Sequence, residues 1–270
     1  MDRSWLVALV VGTLQGIFEW LPISSEGNLT IVLTAIGSSP SEAVAYALFL
    51  HLGTAVSATL YYRGEIWTVL EDLPTWRPTS AFTETPRLSF LGTATLASGL
   101  VGGLAYLLLE ELVSVLTGGA VVVGIGVLLI ATGVLQRIAD DLSLGTRSSP
   151  TFLDALLVGG LQGLAILPGV SRSGVTTSAL LFRGYDGPNS FELSFLLSIP
   201  AAIGGGLIGY LDTGLGGVTP VSAAISLCAA AVVGYLTIDA LMRLVHRVAF
   251  WAVCTGLGTL AVIGGGLVLV

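Results

Sequence analysis

The chain has 270 residues, 54% of them hydrophobic and only 10% charged, with a mean hydropathy of +0.92. Soluble domains carry about 25% charged residues, so this composition excludes a soluble core and indicates an integral membrane protein. The net charge of −7 removes the electrostatic basis for nucleic-acid binding. All ten basic residues are arginine, and the 36 glycines suit membrane helices whose backbones approach closely. Cys228 and Cys254 lie inside apolar segments, without the spacing of a zinc site or a disulfide framework.

Ser4 to Phe18 is apolar but only 15 residues long before Glu19 interrupts it. The segment lacks a signal peptide's basic start and cleavage pattern and recurs later, so it is expected to stay in the mature fold. Leu21-Pro22 and Ser24-Ser25-Glu26-Gly27 break the run, and Leu29 to Ile36 resumes it. A spanning helix needs about 20 apolar residues. Two short halves around a polar turn predict a re-entrant hairpin, since irregular backbone at membrane depth is tolerated only inside protein or beside a water-filled cavity. Ala43 to Tyr62 is long enough to span, with His51 inside it. Arg63 to Arg87 reads as a polar loop punctuated by Trp67, Pro74, Trp76 and Pro78. Leu88 to Leu109 spans, Glu110-Glu111 reads as a tight turn, and Leu112 to Leu135 spans back. Gln136 to Pro150 is a polar linker. Beyond it, Ala155 to Ser171 and Ser173 to Phe182 form a second broken pair. Leu193 to Leu211, Thr213 to Ile238 and Val248 to Val270 are the remaining spans, with Pro200 and Pro220 expected to kink or begin helices.

The two halves echo each other. Leu14-Gln15-Gly16 recurs as Leu161-Gln162-Gly163 and Leu21-Pro22 as Leu167-Pro168. Ser25 matches Ser171, Gly27 matches Gly174, and Phe49-Leu50 matches Phe195-Leu196, always 146 or 147 residues apart. The expected architecture is therefore all-α integral membrane, a single membrane domain over residues 1–270. It comprises six transmembrane helices plus two re-entrant helix hairpins, with repeat one in 1–140 and repeat two in 150–270. Three crossings per half is an odd number, so the second copy enters from the opposite side. That is an inverted-topology repeat, a plan in which sites form near the midplane from broken helices. Alternating crossings put Arg63, Arg77, Arg87, Arg137, Arg147, Arg183, Arg243 and Arg247 on one side. The loops at Glu110-Glu111 and Asp212 to Gly217 fall on the other, and Arg3 and Arg172 stand apart from the set. Positive-inside bias then places both termini outside.

The chemistry concentrates in Pro168-Gly169-Val170-Ser171-Arg172-Ser173-Gly174-Val175-Thr176-Thr177. Arg172 has 17 uncharged residues before it and ten after it. An arginine in such a place is costly without a partner and marks function. Glycines admit a ligand close to the backbone, a helix starting near Ser173 favours an anion, and the guanidinium fork suits phosphate oxygens. Ser171, Ser173 and Thr176 add hydroxyls. These are the parts of a phosphate cradle, though neither a Walker A loop nor a G-x-S-x-G elbow. The bland reading is a Ser/Gly-rich helix break with Arg172 on a carbonyl. The first copy offers Gln15, Glu19, Ser24, Ser25, Glu26 and Asn28. Gln15 and Glu19 share a helix face and could hold a hard divalent cation. Glu19 could instead act as a general base or simply pair with Arg172. Ser25 is a candidate nucleophile without a nearby histidine in sequence. His51 reads as a satisfied core histidine, His246 as solvated, and Glu192 as a helix-dipole partner.

At these two motifs, QGIFEWLPISSEGN (Gln15 to Asn28) and PGVSRSGVT (Pro168 to Thr176), the chain resembles the BacA/UppP family of undecaprenyl-diphosphate phosphatases. FELSFLLSIPA (Phe191 to Ala201) is also similar. The resemblance covers nearly the whole chain and implies a membrane hydrolase. Such an enzyme removes the terminal phosphate of a polyprenyl diphosphate with Mg²⁺ or Ca²⁺, regenerating the carrier lipid at a site open to the outer face of the cell membrane. Carried onto this chain, it implies Glu19, Ser25 and Arg172 as catalytic residues. Ser171 and Thr176 match family functional positions too. With the reading of the residues above, the candidates to hold substrate are Ser24, Gly169, Ser171, Ser173, Gly174 and Thr176, those to hold the cation are Glu19 and Gln15, and Gln15 and Asn28 are further candidates. Two positions depart from the family pattern: Gln15 replaces a glutamate and Asn28 a histidine. Either Ser25 or a cation-bound water then attacks. A homodimer is a further candidate assembly. The alternative function is a transporter or flippase of a phosphorylated polyprenyl lipid, which an inverted repeat also fits.

Overall fold

The computed structural model describes residues 4–140, 145–213, 218–245 and 247–269. Arg3, His246, Val270 and residues 214–217 of the Asp212 to Gly217 loop lie outside the described residues. The first half opens with two short helices, α1 (Ser4–Phe18) and α2 (Ser25–Ala35), followed by α3 (Pro40–Tyr61). Two further short helices, α4 (Arg63–Glu71) and α5 (Ala81–Glu84), precede α6 (Pro86–Val115) and α7 (Gly118–Asp140). The second half again opens short, with α8 (Phe152–Leu164) and α9 (Arg172–Phe182), before α10 (Gly187–Thr213), α11 (Pro220–Val245) and α12 (Phe250–Leu269). Helices α3, α6, α7, α10, α11 and α12 are long and apolar enough to cross a membrane. The protein is thus an all-α, multi-pass membrane protein.

Local chemistry sets the helix starts. Ser39 and Glu42 form a capping box at α3 with Pro40 in the first turn, and Thr151 and Asp154 do the same at α8. Pro86 and Pro220 occupy the first positions of α6 and α11, where a missing N–H costs nothing. This moves the start of α11 from the expected Thr213 to Pro220. Helix α6 also departs from expectation, running through Glu110-Glu111 to Val115, so that the turn falls at Leu116-Thr117. Its 30 residues reach about 45 Å, past a hydrocarbon core of about 30 Å. The two exposed glutamates therefore leave the apolar layer while still helical. The expected polar loop after Arg63 is partly helical because Ile66, Val69 and Leu70 have helical spacing. Pro200 sits inside α10 without ending it.

The long helices bury one face and turn the other outward. On α6, Leu96, Leu100, Leu104 and Leu107 recur at helical spacing and are all more than 60% exposed, a stripe that only lipid solvates favourably. Inward, small residues let backbones touch. A Cβ on Gly126 of α7 would lie 2.6 Å from the Gly258 carbonyl oxygen of α12, and one on Gly258 equally close to that of Gly126. The two Leu-Gln-Gly copies behave alike: Gly16 seats α1 on Ala230 and Gly234 of α11, and Gly163 seats α8 on Ser98 and Gly102 of α6. Helix α7 lies along α12 and α3 along α10. Exchanging the halves, α1 for α8 and α6 for α11, maps these pairings onto themselves.

A polar clamp secures the second half. Asp154, wholly buried, accepts from Arg183 Nε at 2.5 Å, Thr151 Oγ1 at 2.7 Å, Tyr185 Oη at 2.9 Å and Arg147 Nη2 at 3.2 Å. Burial alone pushes this carboxyl up. The hydrogen bonds from Arg183 and then Thr151 and Tyr185 outweigh it and hold the group below the usual carboxylate range. A lowered folded pKa contributes stability above the unfolded pKa and loses it as pH falls through the folded value. Asp154→Asn is accordingly expected to cost about 3 kcal/mol near neutral pH and to flatten the acid limb of the thermal midpoint against pH, measured in detergent.

Candidate active site

Both helix breaks meet in the interior. In the first, α1 ends at Phe18 and the chain turns through Trp20-Leu21-Pro22. The Trp20 ring is fully buried, with Nε1 donating to the Gly234 carbonyl at 3.1 Å. The Pro22 carbonyl is gripped by Gln136 Nε2 of α7 at 2.7 Å and Cys254 Sγ of α12 at 3.0 Å. Ser24 then takes a left-handed conformation, φ 59°, rare for a residue with a Cβ. Its Oγ repays this by accepting from Gly27 N, which caps α2, and from Gly169 N of the other break at 3.1 Å. Gly169 is also left-handed, φ 103°. A Cβ at Gly27 would lie 2.6 Å from Gly169 N, so the breaks touch backbone to backbone.

Across that contact the charged groups pair. Glu19, 6% exposed, receives Arg172 Nη2 on Oε1 at 2.5 Å. Its Oε2 receives Ser25 Oγ at 2.9 Å and Gln15 Nε2 at 3.0 Å. His51 Nε2 lies 3.3 Å from the same Oε2. His51 Nδ1 faces the Ala47 and Leu48 carbonyls at 3.0 and 3.2 Å; two acceptors there require it to carry a proton. Arg172 is the first residue of α9, and its guanidinium carbon stands 5.5 Å from the centre of the Phe195 ring. Its Nη1 is buried with no hydrogen-bond partner.

These groups line a polar chamber of about 30 Å³ bounded by Glu19, Ser24, Ser25, Glu26, His51 and Arg172, with Ser171 and Ser173. Glu19, Glu26, His51 and Arg172 also line a groove of about 320 Å³ that continues between α6, α8 and α10, past Gly99, Gly102, Ala201 and Ile208. A charged head chamber joined to an apolar groove fits an amphipathic ligand. Within it, Ser25 Oγ within hydrogen-bond reach of a carboxylate, itself oriented by an arginine and a histidine, has the layout of an activated nucleophile.

The expected site residues divide by position. Glu19, Ser24, Ser25, Ser171, Ser173 and Arg172 converge on the chamber. Ser171 and Thr176 hydroxyls are spent on structure. Ser171 caps α9 through Gly174 N at 3.2 Å, and Thr176 bonds Arg172 O and Ser194 Oγ at 2.8 and 2.6 Å. Gly174 lies against Gln136 and lines a second cavity on the far side of α9. Asn28 spends its amide on the Ile23 and Ser24 carbonyls at 2.7 and 2.9 Å, holding the turn. Gln15 is fully buried behind Glu19, giving it a donor rather than facing the cavity. Glu192 pairs with Arg87 instead of a helix end. His51, expected as a satisfied core histidine, has its Nδ1 satisfied by the Ala47 and Leu48 carbonyls and also stands beside Glu19 on the chamber wall. An ionisable group inside an otherwise apolar span was the available signal. Among the described residues no cluster of three His, Cys, Asp or Glu forms a ready metal cage.

A family model described as Bacitracin resistance protein BacA matches residues 8–260. Curated relatives named undecaprenyl-diphosphatase align along almost the full length. The one from Haloarcula marismortui is 52% identical over 97% of this chain and 98% of its own. Those from Methanococcoides burtonii and Methanopyrus kandleri are 38% and 36% identical, each over 95% of this chain and over 96% and 94% of their own.

If the backbone contact between the breaks matters as described, Gly27→Ala is expected to cost about 1–3 kcal/mol through overpacking. Gly160→Ala, which meets nothing within 4 Å, is expected to be neutral or slightly stabilising. Thermal midpoints of the two variants check this.

Proposed function

The chain belongs to the bacitracin resistance protein BacA family, and we propose that it hydrolyses the terminal phosphoanhydride of a polyprenyl diphosphate of the undecaprenyl type. The observation that carries this reading is the Ser25–Glu19–Arg172 constellation at the head of an apolar groove. The relatives named undecaprenyl-diphosphatase support it and do not favour the lipid-transport alternative.

In this reading the prenyl chain lies in the groove and the diphosphate sits at the polar end of the groove, where Glu19, Glu26, His51 and Arg172 line it beside the chamber. The free Nη1 of Arg172 takes a terminal phosphate oxygen, where charge grows in the transition state. Drawing the guanidinium toward phosphate relieves Glu19 of its strongest partner, and Glu19 Oε2 then accepts the Ser25 proton. Ser25 Oγ attacks the terminal phosphorus, the anhydride P–O bond breaks, and the monophosphate lipid leaves. Water then cleaves the phosphoserine. His51, 3.3 Å from Glu19, relays the proton that water surrenders, a task Asn28 cannot perform. A bound Mg²⁺ or Ca²⁺ would screen phosphate charge and polarise the terminal phosphoryl group. The orphaned Glu26 Oε1 beside the chamber fits such an ion.

The same reading puts the protein in the plasma membrane with the chamber open to the outer face, and keeps a homodimer as a candidate assembly. It also takes the two halves as an inverted repeat whose short α1–α2 and α8–α9 pairs are re-entrant. The exchange symmetry of the helix pairings supports this.

Purified protein in detergent is expected to release phosphate from a C55 polyprenyl diphosphate with Mg²⁺ or Ca²⁺ and not with chelator. Arg172→Ala and Glu19→Ala should each lower kcat by about 10²–10³-fold; full release by both variants, or none by the wild type, would remove the reading. His51→Ala is expected to lower kcat about 10²-fold with KM little changed, which steady-state kinetics separates.

A further inference from the structure

The chamber holds a carboxylate that takes no part in these proton transfers. Glu26 is the second residue of α2 and is 5% exposed. Its Oε1 has no hydrogen-bond partner, and the side chain lines both the chamber and the groove. Glu19 is its opposite in every respect but charge. Both oxygens of Glu19 are occupied, by Arg172 on one side and by Ser25, Gln15 and His51 on the other. Burying a carboxylate without a partner is costly. The first turn of a helix offsets only a little of that cost.

We propose that Glu26 is the anchoring ligand of a divalent cation in the chamber. It would carry there the second negative charge that position 15, a glutamine facing Glu19 and not the cavity, does not supply. The proposal deepens the phosphatase reading and rests on it for the purpose of the ion, though not for its binding. Three observations converge on it. The chamber volume of about 30 Å³ has room for roughly one water-sized occupant. The groups around it, a free carboxylate oxygen and the Ser25 and Ser173 side chains, offer the oxygen donors that hard cations prefer. Charge favours it as well. Arg172 is already paired with Glu19, and Glu26 Oε1 has no partner. A dication held by Glu26 would supply further positive charge for an entering diphosphate.

The probe is Mn²⁺ alone, titrated into full-length, chelator-stripped protein in detergent and followed by the signal of free Mn²⁺ in electron paramagnetic resonance. The wild type is expected to bind one ion saturably. Glu26→Gln should raise the Kd about tenfold or more while the thermal midpoint in chelator is unchanged or higher. Glu26→Asp, which keeps the charge, should retain measurable affinity. Mn²⁺ affinity unchanged in Glu26→Gln, or no saturable binding by the wild type, overturns the proposal. Phosphate release is measured on the same preparations. Release by the wild type with Mn²⁺ affinity indifferent to Glu26 removes the cation ligand and keeps the phosphatase. Mn²⁺ binding lost in Glu26→Gln with no release by the wild type keeps the ligand and removes the phosphatase.

Discussion

The ion pair between Glu19 and Arg172 is the constraint to which the rest of this structure answers. Each charge would be prohibitively costly in an apolar interior by itself. Together, with Ser25 and Gln15 donating to the carboxylate and His51 Nε2 beside it, they are satisfied at one point. The two residues sit 153 positions apart and at the tips of two different helix breaks. Holding them together requires both breaks to reach the same depth and touch. Ser24 and Gly169 accept left-handed backbone to achieve this, and the Ser24 hydroxyl bridges the breaks.

That arrangement explains why α1, α2, α8 and α9 are short. At 11 to 15 residues each reaches about 16–22 Å, less than a bilayer core. Ending a helix there frees backbone groups that must find partners. The Pro22 carbonyl finds Gln136 and Cys254, Gly174 N finds Ser171, and Gly169 N finds Ser24. Close glycine contacts between α1 and α11 and between α8 and α6 bring the short helices against long ones that supply lipid-facing surface. The result leaves a polar chamber opening onto an apolar groove, the shape of an amphipathic substrate.

How far the site could be read from the chain depends on whether a residue's task is local. The start of α9 is legible to within one residue, expected near Ser173 and found at Arg172, because near neighbours set helix starts, whereas Ser171 reads as a phosphate hydroxyl and caps the helix instead. Ser25 and Glu19 were legible as polar residues out of place in apolar sequence. Thr176 reads equally well as a phosphate hydroxyl, yet its oxygen is spent on Ser194 and the helix backbone. Asn28 likewise sits in a motif but faces its own turn. His51 reads as a core residue because its partner, Glu19, is 32 positions away in the turn after α1. Glu26 is one polar residue among several in the first motif, and only the fold shows its unpartnered oxygen beside the chamber.

By itself the sequence determined the membrane class, the helix breaks, the existence and order of the six spans, two of them to within a few residues at both ends, and the two motifs that carry the chemistry. All of these follow from composition, periodicity and near-neighbour hydrogen bonding. It misjudged the turn at Glu110-Glu111 because charge marks where a helix leaves the bilayer, not where it stops. Only the tertiary structure decided which hydroxyls face the cavity and which cap helices. It also decided that Gln15 stands behind Glu19, and that His51 and Glu26 join the chamber. Helix rotation and long-range pairing set those outcomes, and a one-residue change of helical phase swings a side chain by about 100°, a degree of freedom no local pattern encodes.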